Sequence, residues 1–132
     1  MEYPHNILVV DDSVTMRRII KNTLLKLGFK NFLEAGNGVE ALDVMAKSKD
    51  SVDLILLDWN MPEMDGLEFL KVVKSSDEYR EIPILMVTTE AAKDDILTAL
   101  KHGVNNYVVK PFTPETLKTK VFKLLGLKDE QD

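Results

Sequence analysis

The chain reads as an α/β protein: a doubly wound, five-stranded parallel sheet with helices on both faces. Three observations predict this. Short apolar runs alternate five times with segments of helical period. The runs Ile7-Leu8-Val9-Val10 and Leu54-Ile55-Leu56-Leu57 are continuously apolar, as in strands covered on both faces and sandwiched between helices. Acidic residues also collect where those runs end, at the carboxyl edge where such sheets bind ligands.

Each element follows in order. Ile7 to Val10 is a short buried strand. Met16, Ile19, Ile20, Thr23, Leu24 and Leu27 recur at three- and four-residue steps, and Gly28 stops that helix. Phe32 to Ala35 is a weaker strand. The next helix runs from about Val39 to Lys47 with Leu42, Met45 and Ala46 inward. Asp53 to Asp58 is the central strand, and Pro62 to Gly66 a loop. Leu67, Leu70 and Val73 mark a third helix. Pro83 introduces the strand Ile84 to Val87, and Ile96, Leu97 and Leu100 mark a fourth helix ending near Gly103. Tyr107 to Val109 leads through Pro111 into a last helix around Leu117, Val121, Leu124 and Leu125. Only the tail Lys128 to Asp132 is expected to fray.

This organisation is expected to use residues 1–132 as one domain, with no output domain. A composition of 45% hydrophobic and 30% charged residues is that of a soluble globular protein. The formal net charge of −5 argues against nucleic acid as a ligand, since phosphate-backbone binding needs a basic surface. No cysteine is present, which excludes disulfides and cysteine-based zinc sites. The first apolar run is too short for a signal peptide or a membrane span, so the expected location is cytoplasmic.

The chemistry concentrates at the acidic edge. Asp11 and Asp12 close the first apolar run, Asp58 closes the central one, and Lys110-Pro111 closes the last. One such aspartate is an ordinary loop start or helix cap; the combination is not. Carboxylates gathered at one edge repel unless a cation neutralises them. Mg²⁺ takes oxygen ligands and is usually held by one or two carboxylates plus a phosphate. Asp12 and Asp58 are candidate direct ligands, Asp11 binds directly or through water, and the backbone carbonyl of Asn60 is a further candidate. An aspartate is also a phosphoryl acceptor in aspartyl-phosphate chemistry. Asp58 is the candidate acceptor, standing between the acidic pair on one side and Thr88 and Lys110 on the other, with the Lys110 ammonium offsetting charge on an incoming phosphoryl group.

The segments Val9-Val10-Asp11-Asp12-Ser13, Asp58-Trp59-Asn60-Met61-Pro62-Glu63-Met64-Asp65-Gly66, Thr88-Thr89-Glu90 and Tyr107-Val108-Val109-Lys110-Pro111-Phe112-Thr113 resemble the receiver domains of response regulators, and among them the chemotaxis regulators. The resemblance spans nearly the whole chain. It implies a flavodoxin-like (βα)5 fold with strand order 2-1-3-4-5. It implies that Asp58 takes a phosphoryl group from a histidine kinase, with Asp11 and Asp12 holding Mg²⁺ and Lys110 pairing with phosphoryl oxygens across a cis Lys110–Pro111 bond. Thr88 and Tyr107 become a switch pair, and Asn60 and Glu90 match positions that tune hydrolysis. Thr89, where many receivers carry Ala or Gly, departs from the pattern and is expected to restrict access to Asp58.

The implied output surface comprises Ala91, Lys93, Ile96, Tyr107, Val109, Phe112, Lys120 and Lys123, contacting the flagellar motor switch protein. A phosphatase is a further expected partner, and the protein is expected to be a monomer free of membrane and nucleic acid. By residue pattern alone, Lys118, Lys120 and Lys123 read as a solvated helix face, and Ile96 and Val109 as core. Arg17 and Arg18 are expected to face solvent, as are His5 and His102. A haloacid-dehalogenase-type phosphatase fits poorly, because Val14 and Asn60 stand where it needs a second aspartate. An FMN carrier fits poorly too, since two aspartates would repel the phosphate after the first strand. Within the receiver class the rival is a phosphate sink or relay protein.

Overall fold

The computed structural model describes residues 2–89 and 93–128. The strands β1 (Tyr3–Val10), β2 (Phe29–Ala35), β3 (Leu54–Leu57), β4 (Ile84–Thr89) and β5 (Asn106–Lys110) form one parallel sheet in the order β2-β1-β3-β4-β5. Between and after them run α1 (Val14–Leu27), α2 (Gly38–Lys47), α3 (Gly66–Ser75), α4 (Lys93–Lys101) and α5 (Pro114–Leu125). This is the flavodoxin-like arrangement expected from the sequence.

The continuous apolar runs are strands because both of their faces are covered. Leu54 and Leu56 of β3 pack with Ile7, Val9, Leu24, Leu117 and Val121, a layer shared with α1 and α5. Ile55 and Leu57 point the other way, joining Leu8, Val10, Ala41, Phe69 and Leu70 beneath α2 and α3. Burying each such side chain contributes about 1.5–3 kcal/mol. A one-residue slip would exchange the two layers, so the register is tightly specified.

That register positions the functional edge. Val10 pairs with Ala35 on one side and Leu57 on the other. The next residues, Asp11 and Asp58, therefore leave neighbouring strands side by side, and the Asp58 N–H donates to the Val10 carbonyl at 2.8 Å. On the far side Leu57 pairs with Met86, Thr88 with Val109, and Thr89 with Lys110.

Helices begin promptly after this edge because capping residues wait there. The side chains of Ser13, Asn37 and Thr113 accept from the N–H groups of Met16, Glu40 and Thr116. Asp65 and Glu68 form a reciprocal capping box on α3. Gly28, at φ 111°, closes α1 in the left-handed region that favours glycine.

Several expectations need correction. The first two strands begin earlier than their apolar runs, at Tyr3 and Phe29. Those two residues pair with each other, and their rings join Phe122 in an aromatic cluster that holds the polar stretch between Tyr3 and Ile7 to the sheet. His5 belongs to that cluster and is not a solvated histidine: it packs beside Tyr3 and Phe29, and its buried Nδ1 has no hydrogen-bond partner among the described residues. On α2 the inward residues are Ala41 and Met45, with Leu42 partly covered and Ala46 exposed. On α4 the buried residue is Ala99, whereas Leu97 is 66% exposed and Leu100 is also open. Ile19 of α1 likewise faces outward while Ile20 is buried.

The loop leaving β3 constrains Gly66. Its N–H donates to the Trp59 carbonyl at 2.9 Å, and an added Cβ would sit 2.7 Å from the Asp58 carbonyl oxygen and from the Trp59 ring. Neither neighbour can yield easily, because one is backbone and the other is a packed indole. Gly66→Ala is expected to lower stability by about 2–3 kcal/mol, seen as an earlier urea midpoint with an unchanged slope.

Candidate functional site

Asp11 is only 1% exposed, and a buried carboxylate is tolerated only when paired and hydrogen-bonded. Its backbone N–H donates to the Ala35 carbonyl at 3.0 Å, tying it to the end of β2. Its Oδ1 accepts from the Ser13 N–H at 2.9 Å, and its Oδ2 from Lys110 Nζ at 2.9 Å. Lys110 reaches across from β5 and also lies 3.5 Å from Asp58 Oδ1. The Lys110–Pro111 peptide is cis.

Asp58 is less comfortable. Burial raises its carboxyl, and the negative charge of Asp11 raises it further. Lys110 and the Trp59 N–H, which donates to Oδ1 at 2.8 Å, pull the other way, and the result is a pKa of about 6. The ordinary aspartate value lies near 4. Asp12, the next residue after Asp11, is exposed.

Carboxylate oxygens of Asp11, Asp12 and Asp58 all lie within 4.8 Å of one another, the one such group of potential metal ligands among the described residues. Three carboxylates face one ammonium, leaving two negative charges in excess when all are ionised. The donors are all oxygen, which suits a hard divalent cation better than zinc or copper. The raised Asp58 carboxyl follows from its burial and from the Asp11 carboxylate beside it. Asn60, proposed to offer a carbonyl, is exposed in the loop after β3.

The remaining predicted residues fall around this cluster at different depths. Thr88 is buried near the carboxyl end of β4, next to the exposed Thr89. Tyr107 is half-buried on β5, and Lys120 Nζ lies 5.5 Å from its ring centroid while donating to Asn106 Oδ1 at 3.1 Å. Glu90 and Ala91 lie outside the described residues. Lys93 and Lys123 are exposed and Val109 is half-buried. Ile96 packs partly against the layer beneath α2 and α3, and Phe112 against the α1–α5 layer. Lys120 is thus not part of a simply solvated face, and Ile96 and Val109 are only partly core.

Two residues at the site escaped sequence reasoning. Ser13 caps α1 and donates its N–H to Asp11, and its position directly after an acidic doublet was a usable signal. Arg17 is not turned to solvent. It donates to the Asp11 carbonyl and pairs with Glu34 on β2 at 3.2 Å. Nothing in the helical period distinguishes it from Arg18.

The chain matches the family model described as the response regulator receiver domain over residues 7–122. It is 58% identical over 120 residues to the chemotaxis protein CheY homolog of Campylobacter jejuni, covering 91% of this chain and 92% of that protein. It is 55% identical over 123 residues to chemotaxis protein CheY1 of Helicobacter pylori, covering 93% and 98%. In structure it is similar to the receiver domain of a sensor histidine kinase from Pseudomonas aeruginosa, with a TM-score of 0.82, 26% identity and coverage of 94% and 99%. That structure holds a magnesium ion coordinated in its active-site cleft.

The raised Asp58 carboxyl links stability to pH. The folded protein binds this proton more tightly than the unfolded chain, so ionising Asp58 costs stability. The penalty is absent below about pH 4, grows as pH rises through 6 and is complete above it, reaching about 2–3 kcal/mol. In metal-free buffer at pH 7.5, Asp58→Asn is therefore expected to be more stable than the parent by about 2 kcal/mol. Urea titrations across pH should show the gain vanishing near pH 4.

Proposed function

The chain belongs to the response-regulator receiver family, and from that premise we propose that it is a magnesium-dependent phosphorylation switch of a chemotaxis two-component system, with Asp58 as the phosphoryl acceptor. The observation that carries the proposal is the meeting of three carboxylates within 4.8 Å beside Lys110. The chemotaxis assignment draws on relatives at 58% and 55% identity. The proposal keeps the single-domain, monomeric and cytoplasmic organisation expected from the sequence. No helix among the described residues is long and apolar enough to cross a membrane.

In the proposed reaction an Asp58 carboxylate oxygen attacks the phosphorus of a kinase phosphohistidine. The O–P bond forms as the N–P bond breaks, and the imidazole leaves with the bonding pair. Oδ1 already accepts from Trp59 N–H and faces Lys110, so Oδ2 is the proposed nucleophile. Mg²⁺, held by Asp11, Asp12, Asp58 and the Asn60 carbonyl, would offset charge on the phosphoryl oxygens. Lys110 would add a second positive contact there. Its ammonium now serves Asp11 and Asp58 and would be drawn toward the new, more negative group.

Phosphorylation adds roughly −1.5 to −2 of charge, taking phosphoserine as a guide. The Thr88 hydroxyl would be recruited to those oxygens, and Tyr107 would turn into the volume Thr88 leaves, remodelling the face formed by α4, β5 and α5. A two-position element biased by local charge is the physical content of such a switch. The proposed partners are a chemotaxis histidine kinase, the flagellar motor switch protein and a phosphatase. Lys93, Ile96, Tyr107, Val109, Phe112, Lys120 and Lys123, with Ala91, form the proposed motor-facing surface. Asn60 and Glu90 are proposed to tune hydrolysis and Thr89 to narrow access.

Trp59, the only tryptophan, adjoins Asp58 and reports on each step. Its fluorescence is expected to change with Mg²⁺ and again with a small phosphodonor such as acetyl phosphate. Asp58→Asn should abolish the second change, and a labile phosphoryl group mapped by mass spectrometry to any other residue would refute the acceptor assignment. Thr88→Ala and Lys110→Ala should still be phosphorylated, yet lose about tenfold or more of the phosphorylation-dependent gain in affinity for a motor-switch peptide. Gains equal to the parent's would sink the switch mechanism.

A further inference from the structure

Arg17 turns back across the first turn of α1 and reaches two elements at once. One guanidinium nitrogen, Nη1, donates to the Asp11 carbonyl, while Nε donates to Glu34 Oε1 on β2 at 3.2 Å. Lys21 takes the other Glu34 oxygen at 2.9 Å. A planar guanidinium presents separate donors in fixed directions to the two partners, whereas an ammonium is a compact point charge on a flexible stem.

The bond to the Asp11 carbonyl completes the immobilisation of that residue. Its N–H is committed to Ala35, Oδ1 to Ser13 and Oδ2 to Lys110. The carbonyl belongs to the peptide joining Asp11 to Asp12, so whatever holds it sets the plane from which Asp12 departs. Asp12 is exposed, and among the described residues nothing bonds its carboxylate. Its approach to within 4.8 Å of the other two therefore depends on its backbone.

From this we infer that Arg17, oriented by Glu34, is a positioning residue of the divalent-cation site: it fixes the Asp11–Asp12 peptide so that the Asp12 carboxylate converges on those of Asp11 and Asp58. The inference rests on the reading of the acidic cluster as a magnesium site. It is geometric in origin, because Glu34 offsets the Arg17 charge locally. A hydrogen bond from Lys21, then the Lys21 charge and the hydrogen bond and charge of Arg17, together outweigh burial and hold the Glu34 carboxyl below its usual range.

Outer-shell partners of metal ligands typically contribute 10–100-fold to affinity, whereas a mere strut between α1 and β2 would alter stability and leave the affinity of the folded protein unchanged. Mg²⁺ titration of the full chain, followed by Trp59 fluorescence and by calorimetry where circular dichroism shows each variant folded, separates these. Arg17→Ala is expected to bind Mg²⁺ about tenfold more weakly than the parent, and Arg17→Lys to recover little of that loss. Glu34→Ala, at a partly exposed position and so safe for folding, is expected to lose about threefold, with Lys21→Ala within about twofold of the parent. If Arg17→Ala does not fold, Glu34→Ala decides. A saturating parent with Arg17→Ala and Glu34→Ala both within twofold of it overturns this inference alone. So does a Lys21→Ala loss as large as that of Glu34→Ala. A parent that shows no saturable Mg²⁺ binding overturns the inference together with the magnesium reading beneath it.

Discussion

Two adjacent strands held in register place Asp11 and Asp58 side by side, and the repulsion between their carboxylates is the constraint to which the rest of this edge responds. At an effective dielectric of about 20, two unit charges 4 Å apart repel by roughly 4 kcal/mol. The protein relieves part of this with the Lys110 ammonium, with backbone N–H donors from Ser13 and Trp59, and by holding the Asp58 proton unusually tightly. What remains unbalanced is a site shaped for added positive charge. A cluster that weakens the fold while attracting a cation is how sites of chemistry differ from sites of packing.

The scaffold can hold such a strained edge because the interior is so heavily committed. Every residue of β3 is essentially inaccessible, and its four side chains divide between two apolar layers. Slippage of that strand would expose both layers at once, which locks the acidic side chains against one another despite their repulsion. The helix caps complete the arrangement: Ser13 and Asp65 end the loops that carry the aspartates within a few residues, leaving little slack.

Charge is also distributed in depth. Asp11 is buried and saturated with hydrogen bonds, Asp58 is partly covered, and Asp12 stands open. Behind them the Arg17–Glu34–Lys21 lattice ties α1 to β2. On the opposite flank Lys120 lies over Tyr107 and bonds Asn106. The β2 side of Asp58 is thus braced by ion pairs and the β5 side by a single lysine across a half-buried ring.

Much of this was legible in the amino-acid order. Strands buried on both faces must be continuously apolar, so the runs at Ile7 and Leu54 announced a parallel sheet, and the aspartates ending them announced its acidic edge. Lys110 could be placed there because it ends a third run. Other features depended on which surfaces meet in three dimensions. Leu97 and Leu100 share the helical spacing of core residues yet lie open, because spacing defines a face without revealing whether anything covers it. Tyr3 and His5 join the sheet through rings contributed by Phe29 and Phe122, partners 26, 24 and 119 positions away or similarly remote along the chain. Arg17 and Arg18 are chemically identical neighbours, and only the meeting of α1 with the ends of β1 and β2 selects one of them for the site. Local order determines periodicity and which groups end each strand; long-range packing alone decides which side chain finds a partner, because that choice depends on surfaces brought together from distant parts of the chain.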